Sequence, residues 1–430
     1  LSFWFGPKRC LVLVVLAAWA VHFAFLGGLP ERLRVNESAD YRSFYEPVAR
    51  NGLAGKGWIT PEDEPAVRYP PGHPLLLAAV FWASEMTGMP ESAALHLFIA
   101  LAVALYCGLL YAIAERVVGA KTALIATALW ITYPVQLWLA KQPNSELPFL
   151  VVLFAGIYQL MVALDRQRPV WWQGLAIGAC IGGASLIRPI TIGISVVLIA
   201  GLWLWPNRWT HRMRAIFCLL MVAGNLVVIA PWELWAHART GEWIPLSSGG
   251  VFGLVDGLVI GVRPSSADKV LPVSEDVRDV MQSVLDNENE FESPGDVVRF
   301  MAATFASKPV PVVKIFLLKV ARAWYATDSQ RYEKPLALLQ APYLLLALAG
   351  LVLAWRSRGR RRAAAQLTLL LVLYFWFMAM LALTMLRYMT PVMALLMIFA
   401  ALPLGKILKV RPEKGLESVD GNPAIQPDSA

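Results

Sequence analysis

Charge is scarce in this chain. Asp, Glu, Lys and Arg make up 16% of its 430 residues, against 57% apolar ones, and there are only four cysteines and five histidines. Cys10, Cys107, Cys180 and Cys218 lie in or at the edge of apolar runs without paired metal-ligand spacing, which argues against both a zinc site and a disulfide framework. No G-x-x-x-x-G-K-[ST] stretch occurs, so nothing points to ATP hydrolysis at a P-loop. Ionisable groups are nearly missing from the interiors of the apolar runs, where His22 and His96 are the nearest cases. An ion-coupled pump normally needs such groups deep in the membrane. Their scarcity favours chemistry at the bilayer surface over transport.

What the chain does have is a series of apolar runs near the length needed to cross a bilayer, which makes it a polytopic all-α membrane protein. The net charge of +8 sits in short basic clusters between those runs, the pattern left by membrane orientation, and not in a patch for nucleic acid. Lys8 and Arg9 precede the first run, 11–29, which reads as an uncleaved anchor and predicts a cytoplasmic amino terminus with residues 30–72 outside. Spans near 91–114, 122–140, 147–164, 170–187, 189–206 and 214–232 then leave Arg116 with Lys121, Arg166 with Arg168, and Arg208 with Arg212 and Arg214 all inside. The run 74–88 is short and carries Glu85, so it is predicted to lie along the outer interface.

Residues 1–232 thus form an amino-terminal transmembrane module. Residues 233–325 form an outer segment, acidic between Asp268 and Asp296, ending in a second interfacial helix at 309–325 whose Lys314, Lys319 and Arg322 fall near one side. Spans at 336–355, 364–386 and 389–408 complete a carboxy-terminal set (326–408), with Arg356, Arg358 and Arg360 to Arg362 inside and a polar tail, 409–430, in the cytoplasm. The expectation is about ten transmembrane helices plus two interfacial ones in a cell (inner or plasma) membrane, eleven or twelve if the short runs cross. Trp171, Trp172, Trp205 and Trp209 on the inside and Trp138, Trp232 and Trp235 on the outside mark the edges, about half of them serving packing instead.

This topology gathers Asp40, Glu46, Arg68, Tyr69, His73, Lys141, Asn144, Glu146, Arg188, Glu233 and Arg387 at one face. A lipid-phosphate sugar donor would hold its phosphate at that level, within reach of Arg and His, while a carboxylate takes the proton from an attacking acceptor hydroxyl. Asp40 opens a segment in which Tyr41, Phe44, Tyr45 and Val48 recur at helical spacing. A carboxylate there is equally an ordinary helix cap, and Glu146 at the start of a span is equally a first-turn acid favoured by the helix dipole. Arg188 and Arg387 at span edges could be snorkelling anchors, and His73 a helix-start residue with no ligand.

These residues carry a family resemblance. Asp40-Tyr41, Gly52-Leu53-Ala54-Gly55-Lys56-Gly57, Tyr69-Pro70-Pro71-Gly72-His73-Pro74, Asn144-Ser145-Glu146, Leu186-Ile187-Arg188-Pro189, Pro231-Trp232 leading to Pro245-Leu246-Ser247, and Arg387-Tyr388-Met389-Thr390-Pro391 follow one another in order along residues 10–400. The arrangement resembles the GT-C glycosyltransferases that use polyprenyl-phosphate sugars, especially the branch with protein O-mannosyltransferases and the lipid A aminoarabinose transferase. The resemblance implies a GT-C-like fold and an inverting transfer from a polyprenyl-phosphate sugar to a glycan, lipid or protein acceptor. Asp40 would be the base and Glu146 a second acid shaping the acceptor or metal region. Arg68, Arg188 and Arg387 would be candidates for the donor phosphate, with Tyr69, His73 and Tyr388 beside them. The chain departs from the pattern at Trp235-Ala236, where relatives often carry an Arg-Asn pair. No residues are assigned to a metal, and participation of a divalent cation stays open: Asp40 and Glu146 could ligate Mg²⁺ or Mn²⁺ through oxygen. Asn36-Glu37-Ser38 fits an N-glycosylation pattern. A ligase or polymerase using a diphosphate donor, a flippase or transporter, and a noncatalytic subunit are the competing readings.

Overall fold

The computed structural model describes residues 7–34, 38–263 and 270–410. Asn36 and Glu37 of the glycosylation pattern, Asp268, and the tail from residue 411 lie outside that set. Eighteen α-helices follow one another among the described residues: α1 Pro7–Gly28, α2 Glu31–Arg34, α3 Glu46–Leu53, α4 Gly72–Thr87, α5 Glu91–Val118, α6 Ala120–Ile131, α7 Pro134–Leu139, α8 Glu146–Leu164, α9 Trp171–Ile187, α10 Ile194–Leu204, α11 His211–Thr240, α12 Gly250–Leu258, α13 Glu275–Asp286, α14 Pro294–Ser307, α15 Pro309–Arg322, α16 Glu333–Arg356, α17 Gly359–Leu381 and α18 Leu386–Ile407. Seven of them (α1, α5, α8, α11, α16, α17 and α18) are long and apolar enough to cross a membrane, and α6, α9 and α10 are shorter apolar helices. Together they occupy the ten segments read from the sequence, in a multi-pass membrane protein.

Proline sets where those segments break. Pro134 lacks an N–H and forces Tyr133 into an extended conformation, so the run expected as one helix over 122–140 divides into α6 and α7. Pro189 does the same to Arg188, whose φ and ψ are −142° and 117°. This ends α9 at Ile187, and a 3₁₀ turn at Pro189–Thr191 intervenes before α10 begins.

Helices α9 and α11 approach so closely that a Cβ on Gly178 would fall 2.0 Å from the Met221 carbonyl oxygen, and one on Gly224 would fall 2.1 Å from that of Leu175. Small residues replace bulk where apolar burial gives little drive between membrane helices. Helix α18 runs through the middle of the core, with every residue from Met389 to Ala401 buried.

Two smaller clusters flank this bundle. Tyr41, Phe44, Tyr45 and Val48 bury themselves against Leu77 and Phe81 of α4, and Val255, Leu258, Met281, Val284, Val297 and Ile315 tie α12 to α15. In α15 the basic residues read as lying near one side differ in exposure, Lys314 being exposed. Lys319 and Arg322 are buried, and Arg322 makes two hydrogen bonds to Glu333 at 2.6 and 2.7 Å, whereas Val310, Val313 and Leu317 are exposed. Three of the tryptophans read as headgroup markers, Trp205, Trp209 and Trp232, are likewise buried; Trp209 and Trp232 donate their indole N–H groups to the carbonyls of Arg166 and Leu246.

Candidate active site

Asp40 stands just before a π-helical turn, Tyr41–Tyr45, that continues into α3. Its side chain does not cap that helix. Instead its Oδ1 accepts a hydrogen bond from the Tyr69 hydroxyl at 3.0 Å, and its Oδ2 lies 3.8 Å from Nη1 of Arg387. Burial, followed by the neighbouring Asp40 charge, pushes the Tyr69 phenol above its ordinary range, so it stays protonated and donates.

The strand of chain carrying Tyr69 is fixed by two close approaches. A Cβ on Gly72 would fall 2.6 Å from the Leu186 carbonyl oxygen, so the start of α4 rests on the end of α9, next to Arg188. From the other side, the N–H groups of Ser248 and Gly249 donate to the carbonyls of Val67 and Arg68 at 2.9 and 3.2 Å. Pro70 and Pro71 stiffen the step between these anchors.

Glu146, in the first turn of α8, is buried. Its Oε1 receives Nη1 of Arg188 at 2.6 Å, and the same nitrogen donates to Ser145 Oγ at 3.0 Å. The guanidinium carbons of Arg188 and Arg387 lie 5.2 and 5.4 Å from the centre of the Tyr388 ring. Glu146, Arg188, Arg387, Tyr388, Thr390 and Phe375 share the wall of one small cavity between α8, α17 and α18. Arg387 Nε is buried there without a hydrogen-bond partner, as is Thr390 Oγ1.

His73 lies beneath this surface and not on it. It is fully buried against the edge of Tyr45, with ring centroids 4.7 Å apart, and burial pushes its pKa down to about 4. The neutral ring donates from Nε2 to the Pro143 carbonyl at 2.8 Å, which leaves Nδ1 unpartnered. It therefore sets the position of the loop ahead of Glu146.

Of the remaining polar residues read as one constellation, several are occupied in structural tasks. Glu46 pairs with Arg50, which also reaches Glu91; Lys141 donates to the Leu33 carbonyl; Asn144 donates to Gln142; and Glu233 accepts the Leu246 N–H. The structure brings together Asp40, Tyr69, Arg387, Tyr388, Arg188 and Glu146, with Arg68 against Tyr69. Sequence reading passed over Ser145, Thr390 and Phe252. Thr390 and Ser145 lie within the quoted Arg387–Pro391 and Asn144–Glu146 motifs, but no local signal marks Phe252.

Among the described residues, no three His, Cys, Asp or Glu side chains converge as a metal site. Asp40 and Glu146, the two carboxylates considered for Mg²⁺ or Mn²⁺, each face a guanidinium, so this donor set does not fit a divalent cation without displacing an arginine.

A helical bundle of this kind, with its acid and arginines at one end, has the fold of the GT-C class of membrane glycosyltransferases. Residues 70–235 match the family described as dolichyl-phosphate-mannose-protein mannosyltransferase. No curated protein matches the chain in sequence. Among solved structures it is similar to the archaeal oligosaccharyltransferase AglB from Archaeoglobus fulgidus in complex with an inhibitory peptide and a dolichol-phosphate (TM-score 0.59, 14% identity, covering 94% of this chain and 50% of that one). A second structure of the Archaeoglobus fulgidus oligosaccharyltransferase, a complex with Zn and sulfate, aligns at TM-score 0.57 and 12% identity over 93% of this chain and 49% of that one. ArnT from Cupriavidus metallidurans bound to undecaprenyl phosphate aligns at TM-score 0.43 and 17% identity over 92% of this chain and 76% of that one. The chain thus spans about half the length of the first two.

Proposed function

We propose that this protein is an inverting glycosyltransferase that moves a sugar from a polyprenyl-phosphate donor to a hydroxyl group of a glycan, lipid or protein acceptor. Asp40 takes the proton as the acceptor oxygen attacks the anomeric carbon, and the bond from that carbon to the phosphate oxygen breaks on the opposite face. The electron pair leaves with the polyprenyl phosphate, whose developing charge is met by the guanidinium of Arg387 and, beside Tyr69, that of Arg68. Tyr69 holds the Asp40 carboxylate in place. Glu146 serves as counter-ion to Arg188 and so keeps two neighbouring arginines in one buried cluster. No step is routed through a metal ion.

The active site belongs to the external face, with both termini in the cytoplasm, as the distribution of basic clusters between the apolar helices supports. The observation that carries the reading is the Asp40 carboxylate itself. It takes one hydrogen bond from Tyr69 and stands 3.8 Å from Arg387, with a third of its side chain exposed, so an acid and a phosphate-binding cation adjoin at an open position.

The test is incubation of the purified protein with radiolabelled polyprenyl-monophosphate sugars and membrane extract as acceptor source. Transfer with inversion at the anomeric carbon and release of polyprenyl phosphate is the expected result. Turnover only of diphosphate donors would replace this reading with that of a ligase or polymerase. Absence of turnover by folded protein would leave a transporter or a noncatalytic subunit.

A further inference from the structure

Arg68 differs from the other arginines of the site. Arg188 is held by Glu146 and Arg387 faces Asp40, whereas Arg68 is exposed and, among the described residues, has no carboxylate partner and no side-chain hydrogen bond. Its guanidinium carbon lies 5.5 Å from the centre of the Tyr69 ring and 5.0 Å from that of Phe252. Both distances are within the range of cation–π attraction. Contact with an aromatic face engages the flat side of a guanidinium and leaves its in-plane N–H donors open.

Phe252 reaches this place through backbone contacts. The Gly249 N–H donates to the Arg68 carbonyl at 3.2 Å, and a Cβ on Gly249 would fall 2.8 Å from that oxygen, so only glycine admits the approach. Helix α12 begins at the next residue, and its first turn carries Phe252 over the Arg68 side chain. Val255 and Leu258 on the same helix enter the apolar cluster of the outer segment, but Phe252 does not and is 43% exposed.

We infer that Phe252 is a positioning residue that holds Arg68, together with Tyr69, for the phosphate of a polyprenyl-phosphate lipid. The inference rests on the reading under Proposed function and extends it to α12, which lies outside the part of the chain matched to a known family. A long Arg side chain free in solvent loses rotamer entropy when it binds, and two aromatic faces that already fix it remove part of that cost.

The experiment measures binding of a polyprenyl monophosphate, and of the phosphate-free polyprenol, to the full chain in nanodiscs. Wild type is compared with Phe252→Leu, Phe252→Tyr, Arg68→Gln and the double variant Arg68→Gln/Phe252→Leu. From the usual strength of exposed cation–π contacts, Phe252→Leu should weaken binding of the phosphate lipid roughly twofold to fivefold, and Phe252→Tyr should restore it. In the Arg68→Gln background, Phe252→Leu should add no further loss, and polyprenol binding should not change in any variant. Wild-type affinity in Phe252→Leu, an equal additional loss in the double variant, or a parallel loss for polyprenol would each overturn the role of Phe252. A wild type that binds polyprenol and its phosphate equally would remove the phosphate site itself, and with it the donor assignment.

Discussion

Arg188 and Glu146, 42 positions apart in sequence, meet at 2.6 Å in the wall of the cavity beneath the site. Two carboxylates of similar chemistry thus stand in different surroundings. Glu146 is buried and neutralised, whereas Asp40 keeps an open edge between Tyr69 and Arg387. In the proposed function, this difference in environment assigns one acid to structure and the other to proton transfer.

Glu146→Gln should therefore act first on stability. It leaves Arg188 buried without its anion, a defect that costs on the order of 3 kcal/mol in buried pairs. Thermal unfolding in detergent, followed by intrinsic fluorescence, should show a clear drop. A second substitution, Arg188→Met, should recover part of it by removing the unpaired charge.

Tyr69→Phe removes one hydrogen bond to a carboxylate and leaves the ring against Phe44 and Tyr45. Hydrogen bonds to charged groups contribute about 1.5–3 kcal/mol, so turnover should fall roughly tenfold to a hundredfold where the bond is needed to hold the base, with a drop in unfolding temperature beside it. An unchanged kcat would mean that Asp40 needs no such support.

His73 gives a pH signature of its own. Burial lowers its pKa from 6.5 to about 4, so between those values the unfolded chain binds a proton that the folded one refuses. The stability linked to this group is complete above pH 6.5, is lost as pH falls toward 4, and is constant below that. The full amplitude is about 3 kcal/mol. Unfolding temperature plotted against pH should lose this component in His73→Gln, whose amide can still donate to Pro143.

Gly72→Ala tests the seam that sets Arg188 beside the start of α4. The new Cβ would sit 2.6 Å from the Leu186 carbonyl oxygen, and backbone must shift to admit it. A loss of about 1–3 kcal/mol is expected from overpacking. Donor KM should rise with it, because Arg68, proposed to meet the donor phosphate, lies just ahead of Gly72 in the same anchored segment.

Much of this fold is legible in the sequence because a bilayer leaves few options. Apolar runs must become helices that satisfy their own backbone, so all ten segments appear; Pro134 and Pro189 break two of them, and elsewhere ends move by several residues, as where the run expected at 214–232 extends to Thr240 and that expected at 364–386 occupies Gly359–Leu381. The Asp40–Tyr69 neighbourhood was also within reach, since both residues sat in motifs assigned to one face. Glu146 and Arg188 sat in such motifs too, but their pairing depends on how α8 and α9 pack. The inward turn of Lys319 and Arg322 on α15 was not within reach: helical spacing gives a common side, but which side faces protein is decided by a partner such as Glu333, 11 residues further on. Phe252 lay in a segment with no periodic signal, and only the close approach at Gly249 makes it part of the site.

The measurement closest to the central claim is a comparison of wild type with Asp40→Asn for both sugar transfer and donor binding. The substitution keeps size and can still accept the Tyr69 hydrogen bond, but it cannot take up a proton at neutral pH. General-base catalysis contributes typically about a hundredfold to ten-thousandfold, so kcat should fall by at least that lower figure while polyprenyl-phosphate binding stays near the wild-type value. Transfer at the wild-type rate by Asp40→Asn would contradict the account.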